Sequence, residues 1–375
     1  MRIRAALLIA AVTLVLAILF IGKISRKMPD FAVYWTAASR ASHAEALYRP
    51  EDGHYQFKYL PAFAVLTIPL AAVSLDTAKA VWFVTSVALL VLLLALSLRL
   101  LPDRRRRAWV LIALTALVML KFYGHELVLG QMNALFAVIV AVAVLAARNG
   151  REAALGALVA LAIVVKPYAV IFLPWLAARR QRASIIAVLA GGVIVALLPA
   201  AVYGLQSDIQ LHRDWWLTVT ASTAPNLMNA DNVSIAAMWT KWIGIGRPAA
   251  ILAAATSAVA LGAAALTFAR RTTVPAPDPL EGAMLLTLIP LLSPQGWDYV
   301  FLVSTPAIML LVNYDDMLPR FVRGLTWIAL AVIALSVYDI MGRTAYSVFM
   351  SLSAITVCYF VVVGALYCVR VRRAA

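Results

Sequence analysis

The chain has 375 residues, 64% of them hydrophobic and 13% charged, with a formal net charge of +15 and a mean hydropathy of +0.91. A soluble domain is about half apolar and about a quarter charged, so the composition excludes a soluble enzyme and points to a polytopic membrane protein. The basic residues fall in clusters between apolar runs, at Arg2/Arg4, Arg99 with Arg104–Arg107, Arg148/Arg151, Arg179/Arg180/Arg182, Arg270/Arg271, Arg320/Arg323 and Arg370/Arg372/Arg373. That pattern marks cytoplasmic loops; the charge excess is explained by membrane lipid head groups and no nucleic acid is needed.

Long, unalternating apolar runs mean helices rather than a closed barrel. The expectation is an all-α polytopic membrane protein, a bundle of about ten to twelve membrane helices with some half-length and two polar loops on the outer face. Ala5 to Gly22 follows Arg2 and Arg4 like the front of a signal sequence but lacks a small-x-small cleavage site, so it reads as an uncleaved anchor leaving the N-terminus cytoplasmic. The polar stretch Lys23 to Tyr59 is then an outer-face loop. Leu60 to Val73 is too short to span and carries Pro61 and Pro69, which places it at the interface. Thr77 to Leu101 returns inward. Ala108 to Tyr123 goes out, a turn runs from His125-Glu126 through Gly130-Gln131-Met132-Asn133, and Ala134 to Ala147 comes back.

Ala153 to Val165 and Tyr168 to Ala178 are each shorter than a span. Proline disfavours helix at the preceding residue and removes a donor, so Lys166-Pro167 is the tip of a pair of half-length helices lining a cavity. Ser184 to Tyr203 leads to a second polar outer loop, Gly204 to Arg247, and Ala249 to Ala269 returns. Glu281 to Leu292 and Tyr299 to Val312 form a second short pair broken at Ser293-Pro294-Gln295-Gly296-Trp297-Asp298. Leu325 to Tyr338 and Ala345 to Tyr367 finish as an outward and an inward crossing, with the C-terminus cytoplasmic. Residues 1–375 read as one domain. Cys358 and Cys368, ten positions apart on one helix, stand about 15 Å from each other, too far for a disulfide.

Ionisable groups at membrane depth are functional suspects. Asp30, just beyond the first helix, fits a general base for a sugar hydroxyl, or a helix cap for the segment beginning at Phe31. Lys166 fits a cation for a leaving lipid phosphate, or a lysine reaching to the interface. His125, Glu126, Gln131 and Asn133 suit sugar or phosphate contacts, with capping and turn roles open for Asn133 and Gly130. The second loop offers His212, Arg213, Asp214, Trp215, Trp216, Asn226, Asn229, Asp231 and Asn232, its aromatics and amides together suited to a carbohydrate; aromatics also belong at any membrane interface, which covers Trp239 and Trp242. Asn232-Val233-Ser234 is formally a glycosylation sequon. The four histidines are scattered and no Asp-x-Asp, phosphate loop or nucleophile elbow occurs, so no metal or cofactor is expected.

Asp30-Phe31-Ala32-Val33-Tyr34-Trp35, Ala46-Leu47-Tyr48, Phe57-Lys58-Tyr59-Leu60-Pro61 with Pro69-Leu70, Gly130-Gln131-Met132-Asn133, Lys166-Pro167, Asp231-Asn232-Val233-Ser234 and Leu292-Ser293-Pro294 leading to Trp297 follow one another in an order that resembles glycosyltransferase family 87, of the GT-C superfamily of polytopic enzymes. The resemblance implies a bacterial inner-membrane enzyme. It would move a sugar, typically mannose, from a polyprenyl-phosphate donor to a lipid or glycan acceptor on the periplasmic face, inverting the anomeric centre without a metal. It implies Asp30 as the base; the residues themselves suggest Lys166, with His125 or Arg213, toward the donor phosphate. Sugar and acceptor contacts would come from Tyr34, Trp35, Tyr59, Glu126, Gln131, Asn133, Asn232, Trp297 and Asp298. Family members often carry a histidine pair after the late tryptophan, where this chain has Asp298-Tyr299. The rival classes are a secondary transporter or lipid flippase, which also use broken helices, and a non-catalytic envelope scaffold.

Overall fold

The computed structural model describes residues 15–374. The front of the expected anchor, its arginines and the orientation of the N-terminus lie outside the described residues. What is described of the anchor is an apolar helix, α1 (Val15–Ile24), whose last turn is widened to a π-helix. No strand occurs among the described residues, only one isolated bridge between Asn232 and Trp297.

The remaining helices are α2 (Pro29–Ser42), α3 (Pro61–Leu66), α4 (Leu75–Leu100), α5 (Ala108–Leu129), α6 (Asn133–Arg148), α7 (Glu152–Val165), α8 (Leu173–Arg179), α9 (Arg182–Leu197), α10 (Ala200–Tyr203), α11 (Leu205–Ala221), α12 (Thr223–Asn226), α13 (Ile235–Ile243), α14 (Arg247–Ala269), α15 (Asp278–Leu292), α16 (Thr305–Asn313), α17 (Arg320–Leu335), α18 (Tyr338–Ser351) and α19 (Ala354–Ala374). Among the described residues five helices are long and apolar enough to cross a membrane, and the bent pair α17–α18 brings the number to six. Val15–Ile24, Asn133–Arg148, Glu152–Val165 and Asp298–Asn313 are shorter apolar helices.

Three hairpins build the centre, and each has a charged end and a polar tip. In the first, α5 rises from Arg107 to a tip at Gly130-Gln131, and α6 descends to Arg148. Arg148 donates to the Arg99 carbonyl at the end of α4 (2.9 Å). In the second, α7 runs to Lys166-Pro167, where Lys166 is extended. A 3-10 turn over Pro167–Phe172 and α8 then bring the chain back to Arg179. In the third, α15 runs from Asp278 to the Ser293–Trp297 tip, and Asp298–Asn313 returns to meet Asp103, whose carbonyl accepts from Asn313 (2.9 Å). The sterics of an X-Pro bond end α7 where the sequence places the break.

The second and third hairpins are locked together, at the ends opposite their tips, by ions that have little contact with water. Arg179 bonds Glu152, Asp278 and the Ala147 carbonyl. Arg271 reaches Asp278 (2.7 Å), and Arg370 of α19 reaches Glu281 (2.9 Å), which also accepts from Trp175 (2.8 Å). Buried charges persist only when paired and hydrogen-bonded. α6, α15 and α16 are buried almost throughout. By contrast, the apolar windows of α9 and α14 are only 11% and 22% buried. That outward apolar surface has lipid, not water, as its solvent.

Several expectations are corrected. The stretch from Lys23 to Tyr59 is not a loop: α2 occupies its middle, because Pro29 is pre-set for the first helical position. His125 and Glu126 lie in the last turn of α5, which continues to Leu129 and ends at Gly130, φ 70°. The second polar stretch, Gly204 to Arg247, is mostly the helices α11, α12 and α13. The expected final crossing Ala345 to Tyr367 is divided between α18 and α19, with Ser353 left-handed (φ 54°) at the break, and α17 meets α18 at 107°.

α7 packs on α9 through small residues. A Cβ on Gly156 would sit 2.2 Å from the Ser184 carbonyl oxygen and 2.8 Å from Ala187 Cβ, and one on Gly191 2.5 Å from Ala160 Cβ. Such spacing lets membrane helices approach through backbone contact. Gly156→Val should therefore destabilise the purified protein in micelles by about 1–3 kcal/mol, read as a lower thermal midpoint. Gly364→Ala, with nothing within 4 Å, should leave that midpoint unchanged or slightly raised.

Candidate active site

The three hairpin tips and the start of α2 meet in one polar cluster. Met28, left-handed at φ 57°, donates its backbone N–H to the Val128 carbonyl (3.0 Å) and so sets α2 against the end of α5. Phe31 then lies on Gly130, where a Cβ would be 2.6 Å from Phe31 Cβ. Asp30, in the first turn of α2, is thereby brought to Gln131, whose Nε2 donates to Asp30 Oδ2 (2.5 Å). Asp30 does not cap α2; Met28 stands at that position and no side-chain cap bond is present.

From Gln131 a hydrogen-bond chain crosses the cluster. Tyr34 donates to Gln131 Oε1 (3.1 Å), the Tyr34 and Tyr59 hydroxyls are 2.8 Å apart, and Lys166 Nζ donates to the Tyr59 hydroxyl (3.0 Å). Gln131 Nε2 also reaches the Tyr299 hydroxyl (3.3 Å). A carboxylate and an ammonium thus stand at the two ends of a relay of one amide and two phenols. Lys166 is buried and faces the Tyr59 ring, 5.2 Å from its centroid. Burial raises the Asp30 carboxyl above its ordinary value, while the Gln131 hydrogen bond and the charges of Lys166, His54 and Lys58 draw it back down.

The other expected residues divide by what they touch. Glu126 accepts from the Ala134 backbone N–H (2.7 Å) and from Asn133 Nδ2 (2.9 Å), so both side chains hold the first turn of α6 beneath Gln131. Asn232 donates to the Asn226 and Pro294 carbonyls (2.9 and 2.8 Å). Around it, Val233 N–H donates to Gly296 and Asp298 N–H to Asp231 (2.7 and 3.1 Å), which pairs the Asn232 and Trp297 segments. Trp35 donates to the Val73 carbonyl (3.1 Å) and fastens α2 to the segment just before α4. Asp298 is buried and paired with Lys121 (2.9 Å) and with His125 (3.6 Å).

Arg213 is not part of this cluster. It lines a separate groove of about 700 Å3 between α9 and α11, with His212, Trp216 and Leu217. The helical path of α11 turns Trp215 toward the site, where it donates to the Lys58 carbonyl (3.1 Å), and turns Arg213 away. Tyr299 and Lys121 were not singled out in the sequence. Lys121 carried a readable signal, a lysine inside an apolar span, one turn before His125. Tyr299 stood out only as a departure from the family pattern beside Asp298. Among the described residues no group of three or more His, Cys, Asp or Glu gathers as metal ligands would.

A polytopic helical bundle whose hairpin tips converge on a carboxylate, a buried lysine and three tyrosines is a membrane enzyme class suited to group transfer. The model of glycosyltransferase family 87 matches residues 57–294, more than half of the chain, and the protein belongs to that family. It is a glycosyltransferase. Comparison with curated proteins and with solved structures gives no match. The matched segment contains Tyr59, Gln131 and Lys166; Asp30 lies before it, and Trp297, Asp298 and Tyr299 just after it.

Lys121 and Asp298 join α5 to the third tip, and removing one partner of a buried ion pair strands the other, at about 3–5 kcal/mol. Lys121→Met should lower the unfolding midpoint strongly, and Lys121→Met with Asp298→Leu should recover most of the loss. A double variant no more stable than the single one would show the two residues uncoupled.

Proposed function

We propose that this glycosyltransferase moves a sugar, mannose in the simplest case, from a polyprenyl monophosphate to a hydroxyl of a lipid or glycan acceptor of the cell envelope. The observation that carries the proposal is the relay from Asp30 through Gln131, Tyr34 and Tyr59 to Lys166. Asp30 accepts the proton of the acceptor hydroxyl. The hydroxyl oxygen attacks the anomeric carbon as the bond from that carbon to the phosphate oxygen breaks, with inversion, through an oxocarbenium-like state. The electron pair leaves with the lipid phosphate, whose growing charge Lys166 offsets in a site shielded from water. This chemistry asks for no cofactor, and the cation facing the phosphate is a lysine in place of a metal.

Segregation of charge supports an orientation. The charged ends of the hairpins are cytoplasmic by the positive-inside rule, so the tips and Asp30 face the periplasm of a bacterial inner membrane. His125 stands near the tips and serves the site through Asp298; Arg213, on its own groove, is left out of the donor site. The transporter and flippase readings require paired ionisable groups along a path through the midplane, whereas the relay sits at the tips. Residues 1–375 act as one transmembrane domain.

Asp30→Asn should insert and fold normally while transfer from polyprenyl-phosphate mannose to membrane acceptors falls on the order of 10²–10⁴-fold. Near-normal turnover would remove Asp30 from the role. Because the base works ionised, transfer is present above its pKa and lost as pH falls through it. The burial that raises Asp30 puts this acid limb above the ordinary aspartate range. Gln131→Leu deletes a hydrogen bond that lowers the value, so the limb should move to higher pH; an unmoved limb would mean that another group titrates.

A further inference from the structure

Beside the relay lies a second concavity of about 300 Å3, at the small end of ligand-binding pockets. Its walls include Pro29, Thr36, Arg40, Asp52, Tyr55 and Phe57. Pro29, Thr36 and Arg40 share one stripe of α2 at i, i+7 and i+11, so the pocket runs along that helix and starts at the residue next to Asp30. Phe57, buried, stacks on Tyr59 with ring centroids 5.9 Å apart, and is thus a common wall between pocket and relay.

We propose that this pocket is the acceptor subsite and that it takes a neutral saccharide ring, with the ring's reactive hydroxyl toward Asp30. The inference rests on the reading of Asp30 as the base. Three features select a sugar. First, the charges of the pocket cancel: Arg40 binds Asp52 through both guanidinium nitrogens, Nη2 to Oδ1 at 2.8 Å, so neither an anionic nor a cationic ligand is favoured. Second, the pair is only part-buried, and each carboxylate oxygen keeps acceptor capacity for a hydroxyl; Thr36 adds a hydroxyl of its own. Third, Tyr55 stands 55% exposed at the rim, although its ring has somewhere to pack only against His54 (5.2 Å). An exposed aromatic beside a fixed bidentate pair gives one apolar face and one polar edge, which are the two faces of a pyranose. Gly53 places the two halves: at φ 58° and ψ −121°, a conformation that L side chains rarely adopt, it turns Asp52 toward Arg40 and Tyr55 over the opening.

The test is saturation-transfer NMR on the full chain in a sugar-free detergent. The probes are methyl α-D-mannopyranoside, methyl α-D-glucopyranoside and methyl β-D-galactopyranoside. At least one should bind saturably. Tyr55→Ala, an exposed position whose ring packs only on His54, should weaken that binding about five- to tenfold, the scale of one aromatic contact. Tyr55→Phe should restore it, and Asp30→Asn should leave it in place. In transfer assays Tyr55→Ala should raise KM for the acceptor and leave KM for the lipid-linked donor unchanged. The proposal is overturned if no probe binds the wild-type chain, if Tyr55→Ala binds as the wild type does, or if the donor KM moves instead. Retained transfer by Asp30→Asn would refute the base and leave the probe binding standing, so the two failures are separable.

Discussion

The arrangement of the site depends on a backbone contact too close for any side chain. Gly130, left-handed at the end of α5, receives Phe31 where a Cβ would fall 2.6 Å from Phe31 Cβ. The left-handed Met28 adds a backbone bond to Val128. With α2 seated there, Asp30 has no choice of neighbour other than Gln131, the next residue of the turn. Glu126, capping α6 from the turn before, holds the same loop from below. A short-range steric fact thus sets the position of the carboxylate to within a hydrogen bond.

The hairpins explain why the opposite end of the relay is equally well placed. The second and third are tied together at the end opposite their tips by buried ion pairs around Asp278 and Glu281, and the first by the Arg148 bond to the Arg99 carbonyl, so the tips are carried on rigid levers rather than on free loops. Lys166 sits at the second tip and Tyr299 at the third, and the Asp298–Lys121 pair joins that third tip to α5. Groups supported in this way lose little order when a substrate binds, which is the preorganisation that electrostatic catalysis requires. The departure from the family pattern after Trp297 takes on a physical meaning here. Asp298 is directed inward as a counter-ion, and Tyr299 is directed toward Gln131.

The outer segments behave differently from the spans. α2, α11 and α13 are fastened to their neighbours by aromatic and lysine donors on main-chain carbonyls. Trp35 of α2 bonds the Val73 carbonyl (3.1 Å), Trp215 of α11 that of Lys58 (3.1 Å), and Lys241 of α13 those of Ala230 and Asn232 (2.8 and 2.7 Å). Their polar composition made them read as loops. Yet a helix that meets protein on one side and water or head groups on the other needs only a short apolar stripe, which aromatic and charged neighbours obscure.

The amino-acid sequence by itself determined the class of the molecule, most of its long helices and the breaks at Lys166-Pro167 and Ser293–Trp297. All of these follow from local quantities: apolar length, the geometry of proline and the side on which arginines gather. It also singled out Asp30, Gln131 and Lys166, because polar groups beside long apolar runs stand out. Only the tertiary structure decided which of them meet. Asp30 and Gln131 lie 101 residues apart, the partner of Asp298 is a lysine in the middle of a different helix, and Arg213 was turned away by the pitch of α11. Pairings of that kind are settled by how hairpins pack against one another, and no periodicity along one chain segment encodes them.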